Sequence, residues 1–130
     1  MSEEEFRNWQ EISQLDEKAA TDLFALGNYP LSVFHCQQAV EKYLKALLYF
    51  SGKPQFSHSL TQLGTELAAR MQAALPEEVA TAFNELDFHY TASRYPGVIS
   101  VKDLYTKTKA QQGLDWMNTC LRYLKALKLT

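Results

Sequence analysis

The chain has 130 residues, of which 46% are hydrophobic and 22% charged, with 5 glycines and 4 prolines. That composition describes one ordinary globular domain spanning residues 1–130 and argues against disorder, collagen-like repeats or a second catalytic module. Net charge is -2, divided as -6 over Met1–Val101 and +4 over Lys102–Thr130. The total gives no general attraction to nucleic acid, whereas the asymmetry suits steering of a partner or a second subunit as well as simple solvated faces.

The longest apolar run, Ala46 to Phe50, is far short of the roughly 18 residues a membrane span needs. The acidic start Ser2-Glu3-Glu4-Glu5 is the opposite of a signal peptide's basic head, so a cytoplasmic chain without membrane contact is expected. Cys36 and Cys120 lie far apart, with no Cys-x-x-Cys and no His pair at zinc spacing. Both are expected as small buried thiols, and neither a disulfide nor a metal site is expected.

Apolar residues at Phe6, Trp9, Ile12, Ala19 or Ala20, Leu23 and Leu26 follow the three-and-four spacing of a first helix over about residues 3–26, stopped by Gly27-Asn28. Pro30 suits the first turn of a second helix carrying Val33, Cys36, Val40, Leu44, Leu47 and Leu48 as far as Ser51-Gly52. Being apolar on more than one side, it is expected at the centre. Ser57 is a candidate N-cap for a third helix with Leu60, Leu63, Leu67 and Met71. Leu75-Pro76-Glu77-Glu78 reads as the start of a fourth, through Val79, Phe83, Leu86 and Tyr90, which Tyr95-Pro96-Gly97 must interrupt. A last helix is expected from about Lys102 to Leu127, with Leu114, Met117, Leu121 and Leu124 in one stripe and Trp116, Cys120, Tyr123 and Leu127 in another. No segment shows sustained alternation, which leaves an all-α, up-and-down bundle of about five helices.

The phosphate-binding, dinucleotide, metalloprotease and nucleophile-elbow signatures are all missing. Polar chemistry gathers in three places. Gln38, Glu41, Lys42 and Lys45 recur at three-and-four spacing, so they share one side of the central helix, either as ordinary i,i+4 pairs or as part of a site. His58 precedes the third leucine stripe, as a cap, a packing residue or a ligand contact. If the fourth helix persists to Arg94, then Asp87, Tyr90 and Arg94 form one column. That column holds either an internal Asp87–Arg94 bridge or an arginine presented to phosphate or carboxylate, with Tyr90 or Tyr95 available to stack on a base.

Taken jointly, Gln37-Gln38-Ala39-Val40-Glu41-Lys42-Tyr43-Leu44-Lys45-Ala46-Leu47-Leu48, then His58-Ser59-Leu60, then Asp87-x-x-Tyr90-x-x-x-Arg94-Tyr95-Pro96 resemble the HEPN domain, the higher eukaryote and prokaryote nucleotide-binding family. Trp9 and Ala20-x-Asp22-Leu23 are similar to its first helix, so the resemblance spans nearly the whole chain. It implies an up-and-down helical bundle with an added short helix, usually a homodimer, often encoded beside a minimal nucleotidyltransferase.

Many of the relatives are ribonucleases, often toxins of toxin–antitoxin type, whose dimers join two copies of an arginine followed after four to six residues by a histidine. No histidine stands at that distance after Arg7, Arg70, Arg94 or Arg122, and His89 precedes Arg94. RNA cleavage without metal needs a general base and a group that stabilises the phosphorane, so the missing motif removes the expected machinery. The resemblance then implies a non-catalytic module that binds a nucleotide, a nucleotidyltransferase partner, or both, without a cofactor. The alternative is a toxin-like ribonuclease with an atypical site using His35, His58 or His89. The candidate nucleotide contacts are Gln38, Lys42, Lys45, His58, Asp87, Tyr90, Arg94 and Tyr95, and the candidate dimer anchors are Trp116 and Tyr123.

Overall fold

The computed structural model describes residues 2–127, all of whose regular structure is helical: α1 (Glu3–Ala25), α2 (Tyr29–Ser51), α3 (Leu60–Met71), α4 (Glu77–Ala92), α5 (Val101–Leu104) and α6 (Lys107–Ala126). α2 is the axis of the bundle. It touches α1, α3, α4 and α6, and its Val33, Cys36, Ala39, Val40, Leu44 and Leu48 are completely buried. Both cysteines are buried free thiols, and burial pushes that of Cys120 up to about 12. No helix among the described residues is long and apolar enough to cross a membrane.

α1 and α2 form an antiparallel pair. Gly27, at φ +78°, ends α1, with the Gly27 N–H donating to Phe24 O and the Asn28 N–H to Leu23 O. This is the paired closure that favours a residue without a β-carbon. The chain then turns directly into Pro30 at the start of α2. Along the pair, Phe6 lies on Phe50, Trp9 stacks on Tyr49, and Phe24 meets Tyr29. The close approach comes from small residues, because Ser13 Oγ donates to Ala39 O and Ser32 Oγ to Ala20 O, each at 2.7 Å. Ser13 and Ala20 therefore hold the centre of the inward face. Ile12, expected on that face, is instead 43% exposed, as the apolar period alone could not say which of two adjacent arcs turns inward.

Three boundaries also differ from the sequence expectation. Ser59, not Ser57, caps α3, its Oγ accepting from the Gln62 N–H, while Ser57 Oγ accepts from the Ser59 N–H just upstream. Pro76 stands at the N-cap of α4 rather than inside it. The expected last helix is broken in two: Val101–Leu104 forms the separate short α5, and Thr106 caps α6 by accepting from the Lys109 N–H. The break follows from Tyr105, which leaves the helix to turn inward and is buried beside Val33 and Ala110.

His89 is what Tyr105 turns toward. Its ring is only 2% exposed; Nδ1 shares a 2.6 Å hydrogen bond with the Tyr105 hydroxyl, and the ring stacks on Trp116. One histidine therefore ties α4 to the α5–α6 junction and to α6. Burial, helped by the nearby Lys109 cation, pushes His89 down from 6.5 to about 4. The unfolded chain then binds this proton more readily than the folded one, so the contribution is complete above pH 6.5 and lost as pH falls toward 4. Over that window about 3 kcal/mol of stability is at stake. Denaturant unfolding measured from pH 7 to 4 should give a His89→Gln chain that is less stable at neutral pH and flatter in its pH dependence; the same slope as the parent would refute the assignment.

Candidate functional site

Six side chains of α2 face the starts and ends of its neighbours: Phe34, His35, Gln38, Glu41, Lys42 and Lys45 recur at the three-and-four spacing of one helix side. Because α2 is central, the inner edge of this strip is deeply covered. Glu41 has a side chain only 2% exposed, and a carboxylate so enclosed must be compensated where it stands. Its Oε2 accepts from Lys45 Nζ at 3.0 Å and lies 3.2 Å from His58 Nδ1. Its Oε1 accepts from the amides of Gln37 and Gln38 at 3.4 Å each. Gln37 also donates to the His58 carbonyl at 2.9 Å, fastening the segment before α3 to the central helix.

The network continues outward. Gln38 donates to Gln37 Oε1 at 2.8 Å and accepts from Lys42 Nζ at 3.1 Å, and Lys42 reaches Asp16 Oδ2 of α1 at 3.3 Å. The other Asp16 oxygen lies 2.9 Å from His35 Nδ1. Burial alone raises the Asp16 pKa, but the His35 hydrogen bond and the Lys42 charge outweigh it and leave the carboxyl below its ordinary value. The result is a continuous ribbon from Lys45 to His35. Among the described residues, every buried side-chain nitrogen and oxygen has a partner.

Asp87 takes neither of its expected roles in a column with Arg94. It faces α3, where Oδ1 accepts from the Leu60 N–H at 2.6 Å and Oδ2 from the Thr61 N–H and Ser59 Oγ, each at 3.0 Å. The carboxylate thus caps α3 from across the bundle, at the positive end of that helix. The expected helical register to Arg94 fails because α4 ends at Ala92 and the Arg94 N–H donates to Thr91 O in a tighter turn.

Arg94 is seated in aromatic rings instead. Its Cζ lies 4.5 Å from the ring centre of Tyr90, 4.7 Å from that of Phe34 and 5.0 Å from that of Tyr95. Its Nε donates to Tyr90 O at 3.0 Å. Among the described residues, its two terminal nitrogens have no hydrogen-bond partner and it pairs with no carboxylate. Such a seat holds a guanidinium flat, with its forked donor edge available to a planar or tetrahedral anion. On the other side, His58 stacks on Tyr90 at 5.2 Å and 14°. His58, with its side chain 60% exposed, and Tyr95 present free ring surface.

The eight candidate contacts therefore meet at one place but divide in two. Gln38, Lys42, Lys45 and Asp87 are engaged with the protein itself, whereas His58, Tyr90, Arg94 and Tyr95 form an exposed aromatic and cationic face. Phe34 and Asp16 also belong to this region, as does His35, which the sequence offers for the ribonuclease alternative and not as a nucleotide contact. Spacing with Gln38, Glu41, Lys42 and Lys45 was a sufficient signal for Phe34 and His35. Asp16 had none, since it arrives from another helix.

Trp116 and Tyr123 stand on α6, half-buried against the core, with Trp116 between His89 and the Lys109 ammonium. Among the described residues, no group of three or more His, Cys, Asp and Glu side chains converges as a metal site requires.

Three solved structures share this fold. TT1696 from Thermus thermophilus is 28% identical with a TM-score of 0.84, covering 92% of this chain and 95% of that one. ST0689, described as an archaeal HEPN homologue, is 28% identical with a TM-score of 0.75, over 92% and 94%. An HEPN domain protein of Thermotoga maritima, TM0613, is 24% identical with a TM-score of 0.74, over 91% and 94%. No curated protein matches. The HEPN domain itself matches from residue 6 to residue 127, and with nearly its whole length accounted for in this way, the chain belongs to the HEPN domain family.

Proposed function

We propose that this chain is a non-catalytic HEPN module that binds a nucleotide at the face formed by His58, Tyr90, Arg94 and Tyr95. The observation that carries the reading is the Arg94 guanidinium, held among three rings with its donor fork unpaired among the described residues. Arginine so placed forms charge-assisted bonds to phosphate, and the neighbouring rings supply the stacking a base requires. Asp87 supports this face by joining α4 to the start of α3, Gln38 and Lys45 by holding the Glu41 carboxylate on which His58 rests, and Lys42 by tying α2 to Asp16 of α1. The absence of an Arg-x(4-6)-His pairing in the sequence favours binding over chemistry.

Assembly belongs to the same proposal. A homodimer would use the outer edges of Trp116 and Tyr123, two residue types suited to anchoring an interface. A minimal nucleotidyltransferase is the proposed protein partner of the module, and a cytoplasmic location is the corresponding expectation.

Calorimetric titration with nucleotides tests the site. Arg94→Ala should weaken binding by about 1.5–3 kcal/mol, the range of hydrogen bonds to charged groups. Arg94→Lys, which keeps the charge and loses the fork, should recover only part of it. Equal affinity in parent and Arg94→Ala would make the arginine structural and contradict the reading.

One observation favours the alternative, a ribonuclease with an atypical site: His58 Nδ1 lies on a buried carboxylate while most of its side chain is exposed, the arrangement of an oriented general base. His89 does not suit this role, being enclosed and bonded to Tyr105. Cleavage of a panel of structured and single-stranded RNAs, abolished by His58→Ala, would establish the ribonuclease. The binding reading predicts no cleavage of any of them.

A further inference from the structure

The charges around Arg94 restrict what kind of nucleotide fits. Lys45 is bonded to Glu41 at 3.0 Å and Lys42 to Asp16 at 3.3 Å, while the Asp87 carboxylate is saturated by two backbone amides and the Ser59 hydroxyl. Leaving the two histidines aside, three cations here, Lys42, Lys45 and Arg94, stand beside three carboxylates, and of these three Arg94 has no carboxylate partner among the described residues. A phosphate beyond the first would have to remain in solvent or recruit Lys45 or Lys42. Recruiting Lys45 would strip a buried carboxylate of its cation, a costly exchange.

The opposite flank is apolar. Tyr95, one of the three rings around Arg94, also walls an open groove of about 450 Å³ lined by Phe88, Thr91, Pro96, Val98 and Ile99. Phe88 and Ile99 are mostly exposed there, and Val98 entirely so. A groove of this character takes a ring and offers nothing to replace the hydration of a further anionic group.

We infer that the ligand is a nucleoside 5′-monophosphate, its one phosphate on the Arg94 fork and its base against Tyr95. This inference rests on the nucleotide-binding reading above and adds to it the number of phosphates the face accepts. It concerns binding only, with no bond made or broken.

The test is a calorimetric series on the unmodified full chain with AMP, GMP, CMP and UMP, and, for the tightest of these, its nucleoside, its 5′-triphosphate with and without magnesium, and inorganic phosphate. The nucleoside should bind at least about tenfold more weakly than the monophosphate, since it lacks the charge-assisted fork. Inorganic phosphate should be weaker by about tenfold or more, since it lacks the stacking. The triphosphate should bind no more than about threefold tighter than the monophosphate. A triphosphate that binds tenfold tighter would overturn the monophosphate inference and leave the nucleotide reading standing. A nucleoside or bare phosphate as tight as the monophosphate would also overturn it. Failure of all four monophosphates and of ATP and GTP at millimolar concentration would remove both readings together.

Discussion

A carboxylate inside the central helix governs this molecule. Glu41 sits on α2 where the bundle covers it almost completely, and no folded arrangement can leave a buried anion uncompensated. Lys45, Gln37, Gln38 and His58 answer it. To do so, the segment before α3 must lie against α2, which puts His58 within reach of Tyr90 on α4. Asp87 of α4 then closes the first amides of α3. The polar ribbon is thus first a device that sets the relative positions of three helices. As a source of net stability a buried ion pair is generally poor.

This arrangement explains why a chain of negative net charge can still present a cation. The two lysines of the α2 strip, Lys42 and Lys45, are neutralised by carboxylates on an adjacent helix and on the same one. Arg94 escapes because α4 ends before it and the following turn lifts it away from Asp87 and onto rings. The cation–π seat costs little, as it leaves the donor fork open while limiting the rotamers the side chain must give up on binding.

Much of the fold was legible because hydrophobic period and punctuation agreed. In α3 and α6 the expected leucine stripes are the buried ones, and Gly27 with Pro30 marks the α1–α2 turn. The misplaced features share one cause, the dominance of tertiary partners over local signals. Ile12 satisfies the apolar period, yet α1 packs through Ser13 and Ala20, since hydroxyl-to-carbonyl bonds allow a closer approach than a branched side chain. The continuous last helix is broken because the Tyr105 ring has a partner in His89 that no window of sequence reveals. At the site, the strip on α2 could be read from spacing, whereas the pairing of Asp16 with Lys42 and of Asp87 with the amides of α3 joins residues 26 or more positions apart. That long-range pairing engages Lys42 and Asp87, while Gln38 and Lys45 are engaged by neighbours on α2 itself.

A closed ribbon beside an open Arg94 face is distinguishable from an open ribbon by side-chain NMR during nucleotide titration. With AMP added to the isotope-labelled full chain, the Arg94 guanidinium and the His58, Tyr90 and Tyr95 rings should shift together, while the Lys45 ammonium keeps its position and Trp116 is unchanged. Shifts centred on Lys45 and Lys42 with Arg94 silent would mean that the ribbon opens to the ligand, and would rule out Arg94 as the phosphate contact.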